Sequence, residues 1–163
     1  MLFHPLVNKY NNLIISRTLS KFYGLPGLRV GFAFIGAGHD QFLSYSNKYL
    51  GYNRFSEAVA LAALDSDEHY RKVADEMEWD RQLFYKEFGD KPGFKVYKSV
   101  ANFILIKYPV AIKEKLQKAL ADQNYKIKFM TDKGLEDCLR ITLGRKEQIQ
   151  TVVETIKSIV HSA

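Results

Sequence analysis

The sequence predicts an α/β protein in two parts: a first part built on sheet-interior strands, then a small α+β layer with its helices on one side. Three observations carry that expectation. Two short apolar segments, NLIISR (12–17) and LRVGFAFI (28–35), flank a glycine-containing loop, the pattern of strands inside a parallel α/β sheet. From residue 90 onward, stretches of strand length and of helical period follow in the order strand, strand, helix, strand, strand, helix. Between them, 65–89 has helical apolar spacing and stops at Gly89 and Pro92-Gly93.

Each element has a local cause. Gly24, Pro26 and Gly27 make a loop of 18–26, and Gly36-Ala37-Gly38 closes the second strand. A short helix is expected over 40–49, an interruption at 53–56, and a helix over 57–64 (EAVALAAL), which is rich in strong helix formers. Asp65 with Glu68 three residues later resembles a capping box with Asp as the N-cap. The helix it opens sets Tyr70, Val73, Met77, Phe84 and Phe88 near one face. Strands follow at 94–98 and 102–108, then a helix over 111–123 with Ile112, Leu116, Ala119 and Leu120 at helical spacing. Strands at 125–130 and 138–143 precede a last helix over 145–160, with Ile149, Val152, Val153, Ile156 and Val160 on one face. The expected division is 1–65, a connecting helix over 66–89, and a small domain over 90–163.

Of the 163 residues, 47% are hydrophobic and 26% charged, the balance of a soluble chain with a core to bury. No apolar run approaches the ~20 residues of a membrane helix. The start, MLFHPLVNKY, lacks the basic-then-apolar order of a signal peptide. A cytoplasmic location with no membrane partner is therefore expected. Cys138 is the single cysteine, so no internal disulfide forms, and no Cys/His spacing suggests a metal site. The net charge of +6 is uneven: residues 1–55 carry Lys9, Arg17, Lys21, Arg29, Lys48 and Arg54 against Asp40 alone. Such a balance points to an anionic partner. The cations are scattered and no recognition-module signature accompanies them, so a small anionic molecule is expected rather than nucleic acid.

The stretch that carries chemistry is SRTLSKFYGLPGLRVG, residues 16–31. Lys21 follows a buried strand directly, Thr18 and Ser20 flank it with hydroxyls, and Arg29 lies eight residues on. Gly24 and Gly27 would let the backbone return Arg29 toward Lys21. Hydroxyls and a guanidinium hold phosphate oxygens through charge-assisted hydrogen bonds. An amine beside another cation and partly desolvated loses its proton more readily, and a neutral amine attacks a carbonyl to give a Schiff base. Pyridoxal phosphate is the cofactor that needs both functions. A solvated loop lysine would explain Ser-Lys alone; the whole pattern between two apolar strands is far rarer by chance.

The segment SRTLSKFYGLPGLRVGF resembles the lysine segment of fold-type-I pyridoxal-phosphate aminotransferases, and is most similar to that of the histidinol-phosphate aminotransferase group. Tyr52-Asn53, Ala101-Asn102-Phe103 and CLRITLG (138–144) agree with that group's later motifs in order and spacing. The resemblance implies pyridoxal 5'-phosphate as cofactor. It implies an α/β fold: the end of the large cofactor-binding domain, with its mixed or parallel sheet, followed by the small α+β domain. Lys21 would form the Schiff base and then shuttle the proton at the substrate's Cα, while Thr18, Ser20 and Arg29 would hold the cofactor phosphate. Arg140, with Asn102 and Lys128, would meet the substrate: the carboxylate of glutamate, or the phosphate of a phosphorylated amine. The alternative for Arg140 is an ion pair with Glu136 or Asp137. Lys128 stands where the group usually has a second arginine; lysine keeps the charge and loses the bidentate fork. Threonine-phosphate decarboxylase shares the lysine segment and is the alternative activity, and an inactive remnant that folds or dimerises is the non-enzymatic one. The family's chain is roughly twice this length. The counterpart of its first half is expected before residue 1, and the expected partner is that half or a second copy.

Overall fold

The computed structural model describes residues 3–46 and 53–161. Its elements are β1 (Ile14–Thr18), β2 (Gly31–Ile35), α1 (Leu43–Ser46), α2 (Arg54–Leu64), α3 (Asp67–Phe88), β3 (Lys95–Val96), β4 (Phe103–Lys107), α4 (Lys113–Asp122), β5 (Lys128–Phe129), β6 (Cys138–Thr142) and α5 (Lys146–His161). Short 3-10 turns at His4–Asn8, Pro26–Leu28, Ala37–Phe42 and Val110–Ile112 fill the connections. The helix expected over 40–49 is a 3-10 turn followed by the single turn of α1; its residues 47–49 lie outside the described residues, as does Tyr52. The chain divides into two units, Met1–Tyr70 and Arg71–Ala163.

In the first unit, β1 and β2 pair with each other, from Ile14 opposite Ile35 to Thr18 opposite Gly31. The pair is antiparallel, which corrects the expectation that both are interior strands of a parallel sheet. The twelve residues between the strands (19–30) would be long enough for a parallel crossover, which is usually helical, but they hold only loop and one 3-10 turn. The hairpin closes tightly beyond Ile35. The Gly36 and Gly38 amides donate to the carbonyls of Leu13 and Asn11, and a Cβ on Gly36 would collide with the Tyr10 and Asn11 carbonyls. The unit's core is small: Leu19, Val30, Ala60 and Ala63, with Tyr23, Leu25, Leu28 and Tyr70 packed around them.

Asn53 caps α2 by accepting from the Ser56 amide at 2.8 Å, so the helix begins three residues before the expected start. Asp65 is not the N-cap of α3. It closes α2, its amide donating to the Leu61 and Ala63 carbonyls. Ser66 separates the helices, and its carbonyl accepts from Tyr70 at 3.2 Å.

The second unit is a four-stranded antiparallel sheet in the order β3-β4-β6-β5. Alternation along the strands assigns its faces. Ile104 and Ile106 of β4 and Leu139 and Ile141 of β6 are nearly fully buried. They join Phe84 and Phe88 of α3, Leu116 and Leu120 of α4, and Ile149, Val152, Val153, Ile156 and Ile159 of α5 in one core. All three helices therefore cover one side of the sheet. Phe103, Leu105, Arg140, Thr142 and Lys128 alternate to the other.

One feature of α3 was not legible in its spacing. Asp80 and Arg81 lie on the inward face that Met77, Phe84 and Phe88 define, at 1% and 9% exposure. Asp80 accepts from the Gly144 amide; burial is the main cause that pushes its carboxyl up to about 6, with Glu76 adding and Arg81 and Lys146 opposing. Between the ordinary value of 3.8 and about 6 the native state keeps a proton that the unfolded chain has released. This group therefore favours the fold most at low pH, and that contribution disappears as pH rises through about 6. Replacing Asp80 with Asn, which keeps an acceptor and removes the charge, is expected to stabilise the protein near pH 8 by on the order of 2 kcal/mol. The gain should vanish near pH 4, as read by urea unfolding at both pH values.

Candidate functional site

Strand β1 ends by delivering Thr18, Leu19, Ser20 and Lys21 in succession. Leu19 is completely buried. Its amide donates to the Val30 carbonyl at 3.3 Å and its carbonyl accepts from Leu25 at 3.0 Å. One apolar side chain thus pins the loop at both ends. Its neighbours turn away from the core: Thr18 and Lys21 are exposed and Ser20 is half-buried. The Thr18 hydroxyl donates to Ser20 Oγ at 2.9 Å and accepts from the Ser20 amide at 3.1 Å, which leaves the Ser20 hydroxyl hydrogen available.

After Lys21 the chain makes a turn closed by the Gly24 amide on the Lys21 carbonyl at 3.0 Å, with Gly24 at φ +68°. The Tyr70 hydroxyl donates to the Tyr23 carbonyl at 3.2 Å, and Phe22, Tyr23 and Tyr70 form an aromatic cluster with centroids 4.5–5.7 Å apart. Tyr70 is thus a support of the lysine loop that sequence reasoning assigned only to a helix face.

Gly24 and Gly27 were expected to let the backbone return; Gly24 is left-handed, Gly27 is not, and Arg29 is the second left-handed residue of the loop, at φ 55° and ψ 35°. An L-residue there costs roughly 1–2 kcal/mol. The strained position holds the guanidinium that phosphate recognition would use, and its Nη1 donates to the Pro26 carbonyl at 3.3 Å. The Leu19–Val30 hydrogen bond is the last between the two arms of the loop, just beyond Thr18–Gly31, and Arg29 immediately precedes Val30.

Thr18, Ser20, Lys21 and Arg29 share one loop and present hydroxyls, an amine and a guanidinium. The chain has no carboxylate before Asp40, so nothing of like charge opposes an anion in this segment. That donor set fits the phosphate and aldehyde of a phosphorylated carbonyl compound.

The remaining sequence-derived residues lie in the second unit. Lys128 and Arg140 are directly opposite each other across β5 and β6. Both are exposed. Arg140 lies 5.3 Å over the Phe103 ring. It pairs with neither expected acid: Asp137 takes Lys107, and Glu136 accepts from the Gly134 amide at 2.8 Å. The bond from Lys107 holds the Asp137 carboxyl below its ordinary value. Asn102 precedes β4, half-buried, its carbonyl accepting from Leu143 at 2.9 Å. Like charges at directly opposite strand positions repel, and an anion between them would remove the repulsion. Cys138 is buried, and burial raises its thiol above the ordinary value, so it is an inert core residue.

A family model described as aminotransferase class I and II matches residues 2–156. The chain is 34% identical to histidinol-phosphate aminotransferase 2 of Archaeoglobus fulgidus over 155 residues, which are 94% of this chain and 44% of that protein. It thus spans less than half the length of that curated relative. A solved histidinol-phosphate aminotransferase from Sinorhizobium meliloti, in complex with pyridoxal-5'-phosphate, superposes at TM-score 0.74 with 23% identity, over 93% of this chain and 42% of the other. L-threonine-O-3-phosphate decarboxylase from Porphyromonas gingivalis superposes at 0.73 with 20% identity, over 97% and 50%. At those identities the two structures bear on the fold alone.

Two outcomes follow from this geometry. Arg29→Gly should be more stable than Arg29→Ala by about 1 kcal/mol, because only glycine relieves the left-handed backbone once the guanidinium is gone; chemical unfolding of the two variants measures it. Lys128→Gln should stabilise the second unit by ~0.5 kcal/mol at low ionic strength by removing a cross-strand like-charge pair, and the gain should disappear in high salt.

Proposed function

Because the chain belongs to the aminotransferase class I and II family, we propose that it carries the lysine and phosphate-holding segment of a pyridoxal-phosphate-dependent aminotransferase of the histidinol-phosphate aminotransferase type. The observation that carries this reading is the carboxylate-free loop on the buried Leu19 anchor: Lys21 exposed, Thr18 and Ser20 hydroxyls 2.9 Å apart, and an exposed Arg29 next to Val30, whose carbonyl accepts from the Leu19 amide. Membership of the aminotransferase class I and II family, matched over residues 2–156, supports pyridoxal phosphate as the cofactor here.

Bound pyridoxal phosphate supplies an aldehyde that takes up amines and a ring that accepts electron density when a bond at the amine-bearing carbon breaks. The residues of this chain do the rest. Ser20 and Arg29 donate to the phosphate oxygens, and Thr18 joins them when its hydroxyl turns from Ser20 to the phosphate. Lys21 supplies the amine and moves the proton to and from the substrate's Cα. Arg140 and Lys128 bind the substrate's anionic group, a carboxylate or a phosphate, and Asn102 lies in the same small unit. Donor and acceptor in the exchange would be glutamate/2-oxoglutarate and a phosphorylated or carboxylated amine. The decarboxylase reading shares every residue of the lysine loop and differs in product: carbon dioxide rather than a transferred amino group. A cytoplasmic location and association with a second chain belong to the proposal; among the described residues no helix is long and apolar enough to cross a membrane, and Ile14 and Phe34 stand exposed on the β1–β2 pair.

Mixing the protein with pyridoxal phosphate, reducing with borohydride and mapping peptides tests the assignment. The pyridoxyl group is expected on Lys21, and Lys21→Ala is expected to lose the visible absorbance of the mixture. Label spread evenly over surface lysines would sink it.

A further inference from the structure

Charged residues at 80 and 81 are an expensive way to fill a core. The Asp80 Oδ2 and Arg81 Nε atoms are buried with no hydrogen-bond partner. Apolar side chains of similar size avoid both penalties, and replacing buried ionic groups with them is often stabilising. What apolar side chains cannot do is grip backbone atoms, and on α3 three polar side chains do so at one end of the sheet. Arg81 Nη2 donates to the Ala101 carbonyl at 2.9 Å, its Nη1 being held by Glu78 at 2.8 Å. The Tyr85 hydroxyl accepts from the Ser99 amide at 2.9 Å. Asp80 accepts from the Gly144 amide.

These anchor points bracket two residues that are hydrogen-bonded to each other, Asn102 and Leu143. Ser99 Oγ stiffens the same corner, donating to the Phe103 carbonyl at 2.6 Å and accepting from the Ala101 amide at 3.1 Å. The tip of the corner packs on nothing: Val100 is 101% exposed. Polar grips from α3 thus add to the β4–β6 pairing in setting where Asn102 sits. The Asn102 side chain itself has no hydrogen-bond partner among the described residues.

We propose that Asp80, Arg81 and Tyr85 are positioning residues: through Gly144, Ala101 and Ser99 they hold Asn102 and the end of the strand that carries Arg140 in place for an anionic small-molecule substrate. This rests on the reading of Asn102 and Arg140 as substrate contacts. The clamp itself is a matter of backbone order, so the two can fail separately.

The test uses the whole chain, isotopically labelled, as parent, Arg81→Met, Arg81→Lys and Tyr85→Phe. Thermal unfolding, backbone order parameters, and titrations with glutamate and with inorganic phosphate, followed at the Asn102 and Arg140 side-chain signals, are measured on each. Arg81→Met is expected to shift the unfolding temperature only slightly, the lost bond to the Ala101 carbonyl opposing the gain from removing a buried charge. Its order parameters over 99–102 should nevertheless fall from about 0.85 to below about 0.6, and the anion that the parent binds should bind at least tenfold more weakly. Tyr85→Phe should move in the same direction by a smaller amount, and Arg81→Lys should recover part of the order. Residues 99–102 as rigid in Arg81→Met and Tyr85→Phe as in the parent overturn the clamp. A lowered unfolding temperature with loosening spread evenly over the unit overturns it too, since the residues would then be merely structural. A parent that binds neither anion overturns the substrate reading of this corner, whatever the order parameters say of the clamp.

Discussion

The register between β4 and β6 is the constraint on which the second unit depends. With Ile104 opposite Ile141 and Ile106 opposite Leu139, the buried positions of both strands fall on one face and every helix can cover it. The same register sends Arg140 to the uncovered face beside Leu105, within reach of the Phe103 ring. A slip of one residue would put a guanidinium into a core lined by Leu116, Val153 and Ile156 and expose the isoleucines, an exchange no core of this size could absorb. Hydrophobic burial therefore places the cation, although the cation contributes nothing to the core.

Leu19 plays the corresponding part in the first unit at a smaller scale. Its burial fixes the one point from which Thr18, Ser20 and Lys21 radiate, and its backbone bonds to Val30 and from Leu25 close the loop that carries Arg29. The surrounding core is only a few residues, and Phe3, Leu6, Tyr10, Ile14, Phe34, Phe42, Leu43, Phe55 and Leu61 all stand exposed around it. In the second unit only Trp79, Val100 and Val110 are large exposed hydrophobics among the described residues, and Trp79 is overlaid by Lys146 at 4.5 Å. The lysine loop is thus held by one buried leucine, a tyrosine hydroxyl and a turn, not by a large core.

Strain and unpartnered polarity gather where the chemistry is expected. The left-handed Arg29 lies in the loop proposed to hold phosphate, the Lys128–Arg140 pair opposes like charges across a strand pair, and Asp80 and Arg81 are buried charges gripping the corner before Asn102. Each is a local cost that a chain selected for stability alone would shed.

Much of this was legible in the sequence because it depends on period and local chemistry. The apolar period of Ile149, Val152, Val153 and Ile156 can only be a helix on a core, and the alternation of CLRIT only a strand with its arginine outward. SRTLSKFYGLPGLRVG groups its hydroxyls, amine and guanidinium within one loop whatever surrounds them. What the tertiary structure decided depends on partners that no local pattern names. Strand direction was one such matter, since β1 and β2 read as apolar runs whether parallel or antiparallel, and the pairing alone separates the two. The caps were another: Asp65 with Glu68 satisfies a helix-start pattern, yet Asn53 had already set α2 to run through Leu64 and make Asp65 its end. The acid partners of Arg140 were a third, because Asp137 is close in sequence but Lys107 is closer across the strand. The buried Asp80 and Arg81 were invisible for the same reason. Charge at a helical position reads as solvent-facing until the backbone atoms that receive it, on Gly144 and Ala101, are brought against it by the fold.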